Sequence, residues 1–279
     1  MPVSTPPTEP STTDPVLIFD SGVGGLSVVR ALRAQLPGVP LAYVCDNAAL
    51  PYGTKADDWL VARIVAVCAA AVAASGARAL VVACNTASTL ALEALRERLV
   101  IPVVGTVPAI KPAAALSRSG VIGLLATSAT VCRPYTDRLI ADFAAGHIVQ
   151  RVAADTLVAQ AERLIAGEPL DPDALDRALA PLWAEERLDT VVLGCTHFPL
   201  LSDVLAERAP RPVHWVDSGA AIARRVAQVL DPSAPAGNNA GTNAGTNASD
   251  PAWATGPVSP GLTRGFAGFG FGAPRSLLV

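Results

Sequence analysis

Two stretches decide how this chain folds: Ala79-Leu80-Val81-Val82-Ala83-Cys84-Asn85-Thr86 and Thr190-Val191-Val192-Leu193-Gly194-Cys195-Thr196-His197. Each runs from an apolar, β-branched segment through one small residue to a cysteine, and then to two polar residues ahead of a helical pattern. An apolar run without polar alternation suits a strand buried on both faces, the condition met in parallel sheets covered by helices. The two cysteines lie 111 positions apart, and the echo extends further. Phe19-Asp20-Ser21-Gly22 returns as Val216-Asp217-Ser218-Gly219, and Leu125-Ala126-Thr127-Ser128 opens the later half in a similar manner.

Outward from the two cysteines, short β-branched runs alternate with Ala-, Leu- and Arg-rich helical patterns, which indicates βαβ units. Strands are predicted at residues 16–19, 41–45, 79–83, 103–105, 121–126, 148–152, 190–194 and 213–216. The fold expected is α/β: two pseudosymmetric domains with parallel-type central sheets facing each other across a cleft. Residues 14–106 plus 216–230 are assigned to the first domain and 107–215 to the second. Ligands of such sheets bind beyond the carboxyl ends of the strands. Cys84 and Cys195 should therefore both reach the cleft.

The two ends of the chain read differently. Residues 1–13 are dominated by Pro, Thr and Ser, and residues 231–279 carry the near-repeat Asn239–Asn247 followed by a glycine-rich stretch holding Phe266, Phe269 and Phe271. Both are expected to be disordered tails. Truncation after Leu230 is expected to change activity by no more than about twofold.

Composition narrows the function classes. Of 279 residues, 51% are apolar and 16% charged, which excludes wholesale disorder. A net charge of −3 and a pI near 5.6 provide no basic field, so neither nucleic acid nor an anionic membrane is expected as partner. The longest apolar run, Ile64–Ala74, has eleven residues, against the ~18 to 20 of a transmembrane helix. No membrane anchor is expected. Met1–Pro15 holds five prolines and no Lys or Arg, unlike a secretory signal, and a cytoplasmic location is expected. The five cysteines (45, 68, 84, 132 and 195) form no CxxC pair, which argues against a metal knuckle or a disulfide framework. No metal is expected, and any cysteine chemistry would use free thiols.

Cys45, Cys68 and Cys132 read as small apolar fillers. Cys84 and Cys195 differ, because both occupy the same strand-end position in a repeated unit. The helix N-terminus predicted after each presents free N–H groups that bind carboxylates and lower a thiol's pKa. Two thiols facing each other across a ligand suit removal of an α-proton from one face of an amino acid and return of a proton to the other. The α-carbon is only weakly acidic, so preorganised donors must meet the charge as it develops. Asn85-Thr86 and Thr196-His197 are candidates to hold the ligand, and Asp20-Ser21 brings a carboxylate to the cleft. His147 and His214 have no such setting and read as structural.

Two other classes compete. Gly22-Val23-Gly24-Gly25-Leu26-Ser27 after a strand, with Asp46 ending the next strand, partly matches a dinucleotide-binding loop. Ser27 stands where the third glycine belongs, and Asp20 would repel a pyrophosphate. A non-enzymatic bilobal amino-acid-binding module would use the same cleft and donors. Neither accounts for the duplicated cysteine motif.

Four blocks, Asp20–Leu26, Pro51-Tyr52-Gly53, Ala83–Ser88 and Gly194–Leu200, resemble in order and spacing the signature blocks of bacterial glutamate racemases, within the aspartate/glutamate racemase family. The resemblance spans roughly residues 15–230. It implies cofactor-independent interconversion of L- and D-glutamate, supply of D-glutamate to peptidoglycan synthesis, and a homodimer with the site between two α/β domains. It further implies Cys84 and Cys195 as the acid/base pair, with Asp20 assisting Cys84 and His197 assisting Cys195. Asp20, Ser21, Tyr52, Gly53, Asn85, Thr86, Thr196 and His197 are implied to line the substrate. The segment Ala154–Glu162 lacks the Cys-Pro of the family's acidic block, and Glu162 takes the acidic place there. Aspartate-specific relatives share the two-cysteine logic.

Overall fold

The computed structural model describes residues 11–231 and 249–279. Residues 1–10 and the near-repeat at 239–247 lie outside the described residues.

The first sheet starts with four strands: β1 (Val16–Asp20), β2 (Leu41–Cys45), β3 (Ala79–Val82) and β4 (Val103–Gly105). Every residue of β1, β2 and β3 is buried, as continuous apolar runs require in a sheet covered on both faces. The covering helices are α1 (Leu26–Gln35), α2 (Asp57–Ser75) and α3 (Asn85–Arg98).

The second sheet holds β5 (Val121–Ala126), β6 (Ile148–Ala153), β7 (Thr190–Leu193) and β8 (His214–Val216). It is flanked by α4 (Ile110–Leu116), α5 (Ser128–Val131), α6 (Pro134–Phe143), α7 (Thr156–Ala166), α8 (Pro172–Trp183) and α9 (Ser202–Glu207). The chain then crosses back, and α10 (Gly219–Leu230) packs on α1 of the first lobe.

All eight predicted strands form, within a residue or so at each end, and every pairing is parallel. The second sheet runs β6-β5-β7-β8. The Asp-Ser-Gly echo is realised as the same local bond: Asp20 Oδ1 accepts the Gly22 N–H at 2.8 Å, and Asp217 Oδ1 accepts the Gly219 N–H at 2.6 Å.

The expected C-terminal tail is corrected by the structure. Residues 249–279 fold as β9 (Ala252–Ala254), α11 (Pro260–Gly268) and β10 (Arg275–Ser276), which extend the first sheet to the order β10-β9-β2-β1-β3-β4. β9 pairs in parallel with β2, Val44 opposite Trp253, and Arg33 holds Asp250 at 2.7 Å. Phe266 and Phe271 are buried edge-on against Tyr43. Ser259 caps α11 by accepting the Leu262 N–H at 3.0 Å, with Pro260 in the first turn. The aromatics that read as low complexity are core residues.

The 19-residue α2 is also longer than the eleven-residue run suggested. By length and composition it is apolar enough to cross a membrane. Here its inward face, Leu60, Ile64, Val67, Cys68 and Ala71, is fully buried against the first sheet, as in a core helix.

Candidate active site

Strands β1 and β3 of one sheet and β7 of the other end around a single cavity of about 630 Å³. Cys84 and Cys195 both line it, together with Ser21, Tyr52, Gly53, Asn85, Thr86, Glu162, Thr196 and His197. Cys84 is the residue that starts α3, and Cys195 follows β7 by two positions. The two thiols thus come from separate lobes onto one wall-lined space.

On the Cys195 side, the sulfur lies 3.8 Å from His197 Nδ1, and His197 Nε2 lies 2.8 Å from Glu162 Oε1. Glu162 Oε1 also accepts the Val23 N–H at 2.9 Å. Burial alone would lower the His197 pKa, but its bonds to Cys195 and Glu162 outweigh this and hold it well above its ordinary value. The shift favours the imidazolium form of His197 beside Cys195.

The Cys84 side is different. Its sulfur meets the Ser21 hydroxyl at 3.7 Å and, among the described residues, no basic side chain. Burial, reinforced by the charge of Asp20, pushes the thiol up to about 12, against the smaller opposing effect of the Ala87 N–H at the start of α3. The shift favours the protonated thiol at neutral pH. Asn85 Oδ1, buried at the same helix start, has no hydrogen-bond partner among the described residues, which leaves this acceptor to a ligand.

Asp20 is placed differently from the expectation. It is fully buried behind the wall and does not line the cavity. Its Oδ2 accepts the Thr196 hydroxyl at 3.0 Å, and burial raises its pKa, partly opposed by His197. Thr196 is fixed a second time by the Ser27 hydroxyl, which donates to its carbonyl at 2.8 Å.

The glycine loop has a use unrelated to a pyrophosphate. A Cβ on Gly22 would overlap Glu162 Oε1, and one on Gly24 would lie 2.5 Å from His197 Nδ1 and 2.7 Å from Thr196 Oγ1. Bare backbone is needed there so that side chains of the second lobe can close onto the first. Asp46, the candidate ribose acid, is likewise occupied. The Arg63 guanidinium reaches it at 2.7 Å, and the Tyr52 hydroxyl donates to it at 2.7 Å. Burial would raise its carboxyl pKa, but the bonds from Arg63, Thr255 and Tyr52 hold it below the ordinary value.

Sequence reasoning missed part of the wall. Thr127, Ser128, Thr130, Asp155 and Arg163 also line the cavity, and the Ser128 hydroxyl donates to Asp155 at 3.1 Å. The Leu125–Ser128 echo was the available signal for Thr127 and Ser128. His147, bonded through Nε2 to the Ala114 carbonyl, and His214 stand away from the cavity, as do Cys45, Cys68 and Cys132. All five cysteines are free.

Comparison with known proteins identifies the family. Residues 26–226 match the Asp/Glu/Hydantoin racemase family. The chain is 51% identical over 230 residues to a glutamate racemase of Escherichia coli, covering 82% of this chain and 80% of that protein. The crystal structure of Escherichia coli glutamate racemase in complex with L-glutamate and the activator UDP-MurNAc-ala superposes with a TM-score of 0.86 at 44% identity, over 95% of this chain and 98% of that one. The Thermus thermophilus glutamate racemase in complex with beta-chloro-D-alanine gives 0.71 at 32% identity, over 96% and 98%. The chain belongs to the Asp/Glu/Hydantoin racemase family and is an enzyme of the racemase class.

Proposed function

We propose that this protein is a glutamate racemase that interconverts L- and D-glutamate without a cofactor, by two-cysteine acid/base transfer at the α-carbon. The observation that carries this reading is the pair Cys84 and Cys195, brought by strand ends of two separate sheets to one cavity. The choice of glutamate is supported by the 51% identity to the Escherichia coli glutamate racemase.

In one direction the Cys195 thiolate takes the α-proton, forming an S–H bond as the Cα–H bond breaks. The electron pair stays on Cα and its carboxylate. The Cys84 S–H bond then breaks as its proton passes to the opposite face, and the two sulfurs end with exchanged protonation states. Nothing is oxidised or reduced. Negative charge on the substrate carboxylate is met by the N–H groups that open α3 and by the hydroxyl of Thr86. His197 holds a proton beside Cys195, and Glu162 fixes the ring that carries it. Asp20 acts through Thr196 and through its charge on Cys84, without touching substrate.

The same reading has D-glutamate feeding peptidoglycan synthesis in the cytoplasm, and a homodimer, which sedimentation of the purified protein would test. The decisive assay incubates the protein with each enantiomer of glutamate and of aspartate, with no added cofactor, and follows chiral chromatography. Loss of enantiomeric purity in glutamate supports the proposal. Turnover of aspartate alone would make it an aspartate racemase, and binding without turnover would favour the bilobal binding module.

A further inference from the structure

The C-terminal segment that completes the first sheet also reaches the second lobe. α11 sits between β9 and β10 of the first sheet, yet it packs on α7, the helix that carries Glu162. The contact is close because two glycines make it. A Cβ on Gly261 would lie 2.6 Å from the Ala166 carbonyl oxygen, and one on Gly265 would overlap Ile165 Cγ2 and lie 2.6 Å from the Ile165 carbonyl oxygen. Ile165 and Ala166 follow Glu162 by three and four residues, so α11 rests on the next turn of the same helix face.

The same helix supports the other partner of Glu162. Phe266 of α11 lies edge-on to Tyr43, with ring centroids 5.1 Å apart, and the Tyr43 hydroxyl donates to the Gly22 carbonyl at 2.9 Å. The Gly22–Val23 turn in turn meets Glu162, which accepts the Val23 N–H. One helix thus braces both the carboxylate and the loop that receives it. Among the described residues α11 makes no comparable contact with α3, the helix that opens after Cys84.

We propose that α11, through Gly261 and Gly265, is a positioning element for the Glu162–His197 pair and so governs proton abstraction at Cys195 but not at Cys84. This rests on the two-cysteine reading above.

The experiment uses full-length Gly265→Val and the two enantiomeric series of 3-chloroglutamate. Loss of HCl from this analogue needs only abstraction of the α-proton, with chloride as leaving group, so each enantiomer reports one cysteine. Cys195→Ser identifies which enantiomer depends on Cys195. Gly265→Val is expected to slow that elimination by about tenfold or more while the other stays within about twofold, with the folded state followed by circular dichroism. Equal loss for both enantiomers, or no loss in a folded variant, overturns the proposal. If Gly265→Val does not fold, Gly265→Ala and Gly261→Ala, each adding one methyl, carry the same comparison with the same two outcomes. Wild-type protein that eliminates from neither enantiomer overturns the racemase reading itself and the brace with it, whereas an active wild type with symmetric loss in the variant overturns the brace alone.

Discussion

His197 faces two ways: its Nε2 lies 2.8 Å from Glu162 Oε1, and its Nδ1 lies 3.8 Å from the Cys195 sulfur. The carboxylate thereby sets the protonation of a ring that stands against a thiol. Glu162→Gln should remove this support, lower the His197 pKa and move the alkaline limb of kcat/KM to lower pH, with a loss of about 10²-fold in rate. The wild-type protein should also carry a stability signature. A histidine raised above its unfolded value of about 6.5 contributes fully below that pH, and its contribution is lost as pH rises through the folded pKa. Melting temperature should fall across that window in the wild type and less steeply in Glu162→Gln.

Either cysteine replaced by alanine should abolish racemisation, by roughly 10³-fold or more, since each direction needs a base and an acid on opposite faces. Near wild-type turnover by Cys195→Ala, read by chiral chromatography, would exclude the two-thiol mechanism.

Isotope from solvent distinguishes two bases from one. In D₂O, mass spectrometry of the first product formed should show deuterium at the α-carbon, while the unreacted substrate pool starts without it. Early product that retains the substrate's own hydrogen would indicate a single base returning the same proton.

Gly22→Ala should disable the site without unfolding the sheet. The added methyl would displace Glu162 from the Val23 N–H and from His197, and a loss of at least tenfold in kcat is expected, about 1.4 kcal/mol in barrier. The same crowding leaves no space for a pyrophosphate, so calorimetry with NAD should give no heat of binding. Measurable NAD affinity would revive the dinucleotide reading.

Arg63→Met should destabilise the protein by about 3 kcal/mol, because it strips a buried carboxylate of its ion-pair partner. The wild-type Asp46, held below its ordinary pKa, contributes stability above the unfolded value of about 3.9 that is lost as pH falls through the folded pKa. Denaturant titrations from neutral to acid pH should show the variant weaker at neutral pH and less sensitive to acid. An unchanged midpoint would mean that Tyr52 and Thr255 suffice to satisfy Asp46.

The central strands were readable because each buried run, such as Ala79–Val82 or Thr190–Leu193, carries its own signal. So were the two thiols, marked by their repeated place after a strand. What escaped lacks local information. β9 has three residues and β10 two, and they exist only because β2, some two hundred positions earlier, offers an open edge. The glycines of α11 looked like a flexible composition, whereas they are the surface on which α7 rests. The strand-end position of Asp20 and the family resemblance both point to the cavity wall, yet the structure buries its carboxylate. A buried strand sends successive side chains to opposite faces, and the carboxylate points behind the cavity toward Thr196.

The raised Cys84 pKa also bears on chemical durability. Peroxide and alkylating reagents attack the thiolate, and a sulfur whose pKa is pushed up to about 12 is a poor target for both. Burial thereby shelters Cys84 from oxidative damage.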